Sequence, residues 1–324
     1  MLRFISVIGC CLFLLSHVAF ADDNGEYTYE KMMNETNIVK KNHPEIIEVT
    51  SIGTSPFGRD IPAIKLGKGK KHVLFVGSHH GREWMTTQLL MKMIHTYATA
   101  YERNEKVGNY HPEILDEVSI WFVPMINPDG VTIQQNGINM FSIGYQQLLL
   151  EMNHNQLNLQ RWKANGLGVD LNRQYPAGWE EIKGAQEHAA YRYYKGQSPL
   201  EAEEVRSLVK FIIEEDPVIS IAYHSSGRVI FWHYKNDQQV VKRDFEIANE
   251  ISKLTGYDLA KPPKKATGGG LTDWFITRFK RPAYTIEISY EVKEQAPPLS
   301  VFPEEWKRNK EIGLMIAEQA KNIN

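Results

Sequence analysis

The chain is predicted to fold as a single α/β domain, a mixed twisted sheet with helices on both faces. Three features lead there. Short apolar runs rich in Val, Ile, Phe and Tyr recur at 72–77, 118–124, 218–223 and 283–289, as in strands buried on both faces. Longer segments with a three-to-four-residue apolar period lie between them. No repeat, low-complexity tract or linker divides the 324 residues. Strands alternating with helices pack as layers around a largely parallel or mixed sheet.

The elements follow in order. Residues 27–42 read as a first helix. Strands are expected at 47–54 and 60–66, joined by the turn-rich Ser55-Pro56-Phe57-Gly58. The clearest helix is 84–104, where Met85, Leu89, Met93, Tyr97 and Tyr101 recur every four residues, backed by Leu90, Ile94 and Ala98. Segments 199–215, 238–255 and 304–321 are also expected to be helical. The stretch 131–200 is the least regular, rich in Asn, Gln, Gly and Tyr. A stretch this long in a compact domain is usually functional, here as a wall around a site.

The first 21 residues have the pattern of a signal peptide. Arg3 is followed by an apolar run from Phe4 to Leu15 and by Ala19-Phe20-Ala21, a small-x-small cleavage site. The run is shorter than the ~20 residues that a membrane span needs. Val7-Ile8-Gly9-Cys10 resembles a lipoprotein processing box, a second reading weakened by its closeness to Met1. The expected product is an exported domain at 22–324, secreted or held in the periplasm or cell envelope. Cys10 and Cys11 are the only cysteines. Without them the exported domain has no disulfide and no thiolate, so any metal must be held by His, Asp and Glu. A net charge of −2 gives no electrostatic case for nucleic-acid binding. No protein partner is inferred.

In open α/β sheets ligands bind beyond the carboxyl ends of the strands. Strand 72–77 runs into Ser78-His79-His80-Gly81-Arg82-Glu83, strand 118–124 into Asn127-Pro128-Asp129-Gly130, and strand 218–223 into His224-Ser225-Ser226-Gly227. His80 and Glu83, three apart at a helix start, can face one point. His224 would close a His2Glu set that leaves room for water, the pattern of catalytic zinc. His79 with Glu83 is a competing register. In the last strand Tyr284, Ile286 and Ile288 point one way and Thr285, Glu287 and Ser289 the other. A carboxylate in so apolar a strand needs a basic partner or a task. Beside a metal, that task is general base and then general acid.

Taken together, His-x-x-Glu followed by Trp84, Asn-Pro-Asp-Gly at 127–130, Asp170-Leu171-Asn172-Arg173, His224-Ser225, Gly269-Gly270-Leu271-Thr272-Asp273-Trp274 and Thr285-Ile286-Glu287 resemble the carboxypeptidase A-like zinc metallocarboxypeptidases. The likeness is ordered and runs from about residue 27 to 321. His79 to Thr86, Trp162 to Asn165, Thr267 to Gly270 and Asp273 to Ile276 resemble most the bacterial γ-D-glutamyl-meso-diaminopimelate peptidases, which cut cell-wall peptides.

That resemblance implies a zinc-carboxypeptidase-like sandwich with one Zn2+ per chain, held by His80, Glu83 and His224. It implies Asp170 as the carboxylate that orients a ligand imidazole, Glu287 as the catalytic carboxylate, and Asn172 with Arg173 as the grip on a substrate carboxylate. Two positions depart from the family pattern. Either Lys163 or Arg161 stands where relatives carry an oxyanion-stabilising arginine. Lys264 or Lys265 stands where they carry a capping tyrosine. Thr272, at the position that lines the specificity pocket, carries no charge. The implied reaction is zinc-dependent hydrolysis of an amide bond beside a carboxylate-bearing residue. The favoured substrate is a murein peptide, cut between γ-D-glutamate and diaminopimelate. A general carboxypeptidase on ordinary peptides and a silent peptide-binding relative are the alternatives.

Overall fold

Why these segments become these elements is visible in the computed structural model, which describes residues 25–261 and 268–323. The signal-peptide reading of 1–21, with Cys10, and the residues Lys264 and Lys265 lie outside that range.

Helix α1 (Tyr29–Asn42) starts where Thr28 Oγ1 accepts the Lys31 amide at 3.2 Å, and it buries Met32, Thr36 and Val39. The hairpin β1 (Ile47–Thr54) and β2 (Asp60–Leu66) leads to β3 (Lys71–Val76), α2 (Met85–Arg103) and β4 (Val118–Val123). After β4 come α3 (Pro128–Asn136), α4 (Ile143–Met152), α5 (Glu203–Glu215), β5 (Ile219–Ser225), β6 (Val229–Phe231), α6 (Val241–Thr255), β7 (Asp258–Leu259), α7 (Leu271–Phe279) and β8 (Ala283–Ile288). Helices α8 (Phe302–Asn309) and α9 (Ile312–Ala320) end the chain's described part.

The eight strands form one sheet in the order β1-β2-β4-β3-β5-β8-β6-β7. Its centre, β4-β3-β5-β8, is parallel, and antiparallel pairs flank it, so the sheet is mixed. Alternation along the central strands divides the core. Val73, Phe75, Ile120, Phe122, Ile221, Tyr223, Tyr284 and Ile286 pack with α1, α2, α6 and α9. Leu74, Val76, Trp121, Val123 and Ala222 pack with α5 and α7 on the other face. Because β3, β4, β5 and β8 are parallel, their carboxyl ends meet along one edge.

Three expectations change. The segment 304–321 is two helices, because the Tyr97 hydroxyl enters the break, donating to Lys310 O at 2.9 Å and accepting from Gly313 N at 3.0 Å. A Cβ on Gly313 would stand 2.4 Å from the Tyr97 ring, so this approach needs glycine. The region 131–200 contains α4 and the end of α3 rather than irregular chain alone. Strands β6 and β7 are too short for an apolar period to show. Among the described residues no helix is long and apolar enough to cross a membrane.

Candidate metal centre and active site

Residues 78–83 follow β3 and are fixed by their own backbone. Gly81 N donates to Lys163 O at 3.1 Å and Arg82 N to Trp162 O at 2.9 Å. A Cβ on Gly81 would lie 2.3 Å from Gly130 O, so only glycine lets the start of α3 pack here. Asn127 closes the junction, donating to His79 O at 3.0 Å and Ala164 O at 3.1 Å. The Asp129 carboxylate faces away from the site and gathers Ser55, Phe57 and Arg59 at 2.8–3.0 Å. Asn-Pro-Asp-Gly is thus a clamp on the loops.

That scaffold aims His80 and Glu83 at His224 from the end of β5. His80 Nδ1 lies 2.9 Å from Glu83 Oε1, His224 Nδ1 lies 2.9 Å from Glu83 Oε2, and the two Nδ1 atoms are 3.2 Å apart. All three residues are buried and able to hold one metal ion. Donors about 2.0–2.1 Å from a tetrahedral zinc stand about 3.3 Å from one another, close to the spacing seen, and imidazole and carboxylate suit zinc. Burial alone would keep Glu83 protonated. The two imidazoles outweigh it and hold the carboxyl well below its usual range. Burial lowers the His224 imidazole, against the pull of Glu83, which favours the neutral form that binds metal.

The competing register is absent: His79 turns back to meet the Tyr175 hydroxyl at 2.9 Å, its ring stacked at 5.3 Å behind His224. Asp170 Oδ1 lies 3.1 Å from His80 Nε2, which orients that ring. Burial resists ionisation of Asp170. His80, Lys163 and Arg173 outweigh it, so the carboxylate stays charged to strongly acidic pH.

Glu287 stands beside His224, its register partner across β5 and β8. Desolvation and then repulsion from Glu83 push its carboxyl up to about 8, against Lys163 and Arg82. A dication on the His80–Glu83–His224 cluster would oppose that rise. Thr272 Oγ1 is 2.7 Å from Thr285 Oγ1, two residues before Glu287 on the same face. Asn172 Oδ1 accepts from Leu271 N at 3.1 Å, which leaves its amide N–H groups for another partner. Arg173 lies 5.0 Å over the Tyr193 ring, and its Nε is buried without a hydrogen bond.

The two candidates for the oxyanion position part company. Arg161 is tied to Asn153, through Oδ1 at 3.0 Å and the carbonyl at 2.8 Å, and lies 4.0 Å over the Tyr191 ring. Lys163 faces inward, its charge acting on Asp170, His224 and Glu287. Sequence reasoning missed Arg82, Arg192 and Tyr193. Arg82 sits inside His-x-x-Glu, where the spacing of the flanking His and Glu says nothing about it. Arg192 and Tyr193 lie in the stretch whose only signal was its composition.

A parallel-centred sheet that brings a His2Glu set and a carboxylate to one edge is the architecture of a zinc hydrolase. The chain belongs to the zinc carboxypeptidase family, whose model matches residues 32–312; its cofactor is zinc. It is 32% identical over 270 residues to gamma-D-glutamyl-L-diamino acid endopeptidase 1 of Lysinibacillus sphaericus, with 82% of this chain and 66% of that protein covered. It is 30% identical over 269 residues to the protein YqgT of Bacillus subtilis (strain 168), covering 80% of this chain and 71% of that one. The matched region spans about two thirds of the length of these two relatives. In fold it is similar to thrombin activatable fibrinolysis inhibitor, with TM-score 0.74 and 16% identity over 93% of this chain and 76% of that one.

Proposed function

We propose that the chain is an exported zinc peptidase that hydrolyses murein peptides at the bond between γ-D-glutamate and a diamino acid. The observation that carries the reading is the meeting of His80, Glu83 and His224 with Glu287 at one sheet edge. The name of the Lysinibacillus sphaericus relative supports the choice of substrate, and the residue pattern at 1–21 supports export.

In this reading His80, Glu83 and His224 hold the ion, and Asp170 fixes the His80 ring. Bound zinc supplies Lewis acidity, which acidifies water and polarises a carbonyl. Glu287 takes the proton from the attacking water and returns it to the leaving amine. Lys163 balances the negative charge that develops on the carbonyl oxygen. Arg173 grips the carboxylate of the leaving residue in two-pronged fashion, and Asn172 adds its free amide donors. Thr272 itself carries no charge, so it supplies no acidic group to select lysine or arginine tails. Lys264 and Lys265 remain candidates for an extra substrate carboxylate.

The test is a comparison of kcat/KM on a γ-D-glutamyl-diaminopimelate peptide and on a blocked ordinary dipeptide. A preference for the first is expected. A preference for the second would make the chain a general metallocarboxypeptidase, and no turnover of either by zinc-loaded protein would make it a silent relative.

A further inference from the structure

Four cations gather beside the metal centre, and Tyr193 is their common neighbour. The guanidinium carbons of Arg192 and Arg173 lie 4.8 and 5.0 Å from its ring centre, and Lys163 Nζ lies 5.5 Å away. Burial would raise the Tyr193 hydroxyl, but Lys163, Arg192 and Arg82 outweigh it and lower it. Tyr193 takes φ 65°, a left-handed conformation rare for an aromatic residue. Its N–H donates to Asp170 Oδ2 at 3.3 Å, which ties this platform to the carboxylate that holds His80.

The anions facing these cations are Asp170, Glu294 and Glu287, the last acting on Lys163 and Arg82 from beyond ion-pair distance. Asp170 is committed to His80 and stands 3.7 Å from Arg173 Nε, beyond hydrogen-bond range. Glu294 pairs with Arg192. Among the described residues neither Arg82 nor Lys163 has a carboxylate partner, and the Nε donors of Arg173 and Arg192 are buried and unbonded. Like charges this close repel unless an anion joins them. One terminal carboxylate on Arg173 still leaves the Arg192 guanidinium with Glu294 as its ion-pair partner.

We propose that Arg192 binds a second substrate carboxylate, distinct from the one held by Asn172 and Arg173, and that Glu294 fills its place until substrate displaces it. The Arg192 and Glu294 side chains are 27% and 37% exposed, so the pair meets solvent and is weak enough to exchange. The proposal rests on the murein reading, whose substrates carry two such groups. One is the α-carboxylate of the γ-linked glutamate, on the acyl side. The other is the far carboxylate of diaminopimelate.

The experiment measures kcat/KM of wild type, Arg192→Met and Glu294→Gln, all zinc-loaded. The substrates are a γ-D-glutamyl-diaminopimelate peptide, its glutamate α-amide and its far-carboxylate amide. Arg192→Met is expected to lose about 10- to 100-fold on the diacid. The loss should be at least about ten times smaller on whichever amide lacks the recognised group, which identifies the source. Glu294→Gln is expected to lower KM for the diacid and not for that amide, and it keeps the test alive if Arg192→Met does not fold. Equal losses on all three peptides, or a Glu294→Gln KM that moves alike on all of them, would overturn the assignment of Arg192. The murein reading fails differently: wild type would ignore every γ-glutamyl peptide while cleaving ordinary ones. Ordinary peptides with Glu or Gln before the scissile bond then read Arg192, and an equal loss on both rejects it.

Discussion

His224 and Glu287 are direct partners across two parallel strands. Both side chains therefore leave the sheet on one face, an imidazole of the candidate metal set beside a carboxylate. A slip of one residue would turn Glu287 into the core with Tyr284 and Ile286 and remove it from the site. Glu287→Gln keeps the shape and removes the proton acceptor. The expected result is normal zinc content and melting temperature, with kcat lower by about 10²–10⁴-fold. Near-normal turnover in that variant, with loss in Glu291→Gln, would move the role to Glu291.

The cluster of His80, Glu83 and His224 makes metal content the next measurement. His80→Ala and His224→Ala are each expected to lose zinc and activity together. Asp170→Asn should keep the fold and weaken zinc affinity by about 10- to 100-fold in a competition titration, because the His80 ring loses its orienting anion. A full equivalent of tightly held zinc in either alanine variant would remove that residue from the ligand set.

Arg173 is read through its substrate's charge. Arg173→Ala should reduce kcat/KM on peptides with a free terminal carboxylate far more than on their amides, by about 10- to 100-fold in relative terms. The loosely held guanidinium, 3.7 Å from Asp170, motivates this. The same loss on acid and amide would mean that Arg173 supports the Tyr193 loop instead.

Glu204, away from the metal, sets a pH dependence of stability. Burial, then repulsion from Asp129 and Glu203, raises its carboxyl from 4.5 to about 7, although Asn165 donates to both oxygens at 3.1 and 3.2 Å. Between those two pH values the folded chain holds a proton that the unfolded chain has lost, so stability falls as pH rises from about 4.5 to 7. Glu204→Gln should therefore raise the melting temperature at pH 8, by a few degrees for a gain of about 2–3 kcal/mol. At pH 4 it should change little. A pH-independent difference between variant and wild type would show that Glu204 does not titrate in this range.

By itself the amino-acid sequence determined the hairpin, the four central strands and the edge they share. The central strands are continuous apolar runs, and their alternation already told which face Glu287 takes. The ordered motifs at 80–83, 224 and 285–287 carried the candidate metal set and carboxylate, because each lies in or within a few residues of a strand end that the apolar pattern locates. Residues 170–173 lie far from any strand in sequence and were legible only through the family resemblance. Only the tertiary structure decided the rest. His79 and His80 are adjacent and chemically alike; the resemblance pointed to His80, and the structure supplies the physical reason in Tyr175, which is 96 residues beyond His79 and takes its ring. Arg161 and Lys163 were separated by Asn153, which holds one and leaves the other facing the site. The break at Lys310 depends on a tyrosine 213 residues earlier. Arg192 and Tyr193 sit in chain without a period, so nothing local marks them. Periodicity reports the burial of a segment's own face, whereas these outcomes are set by partners that are distant in sequence and become neighbours only when the sheet closes its layers.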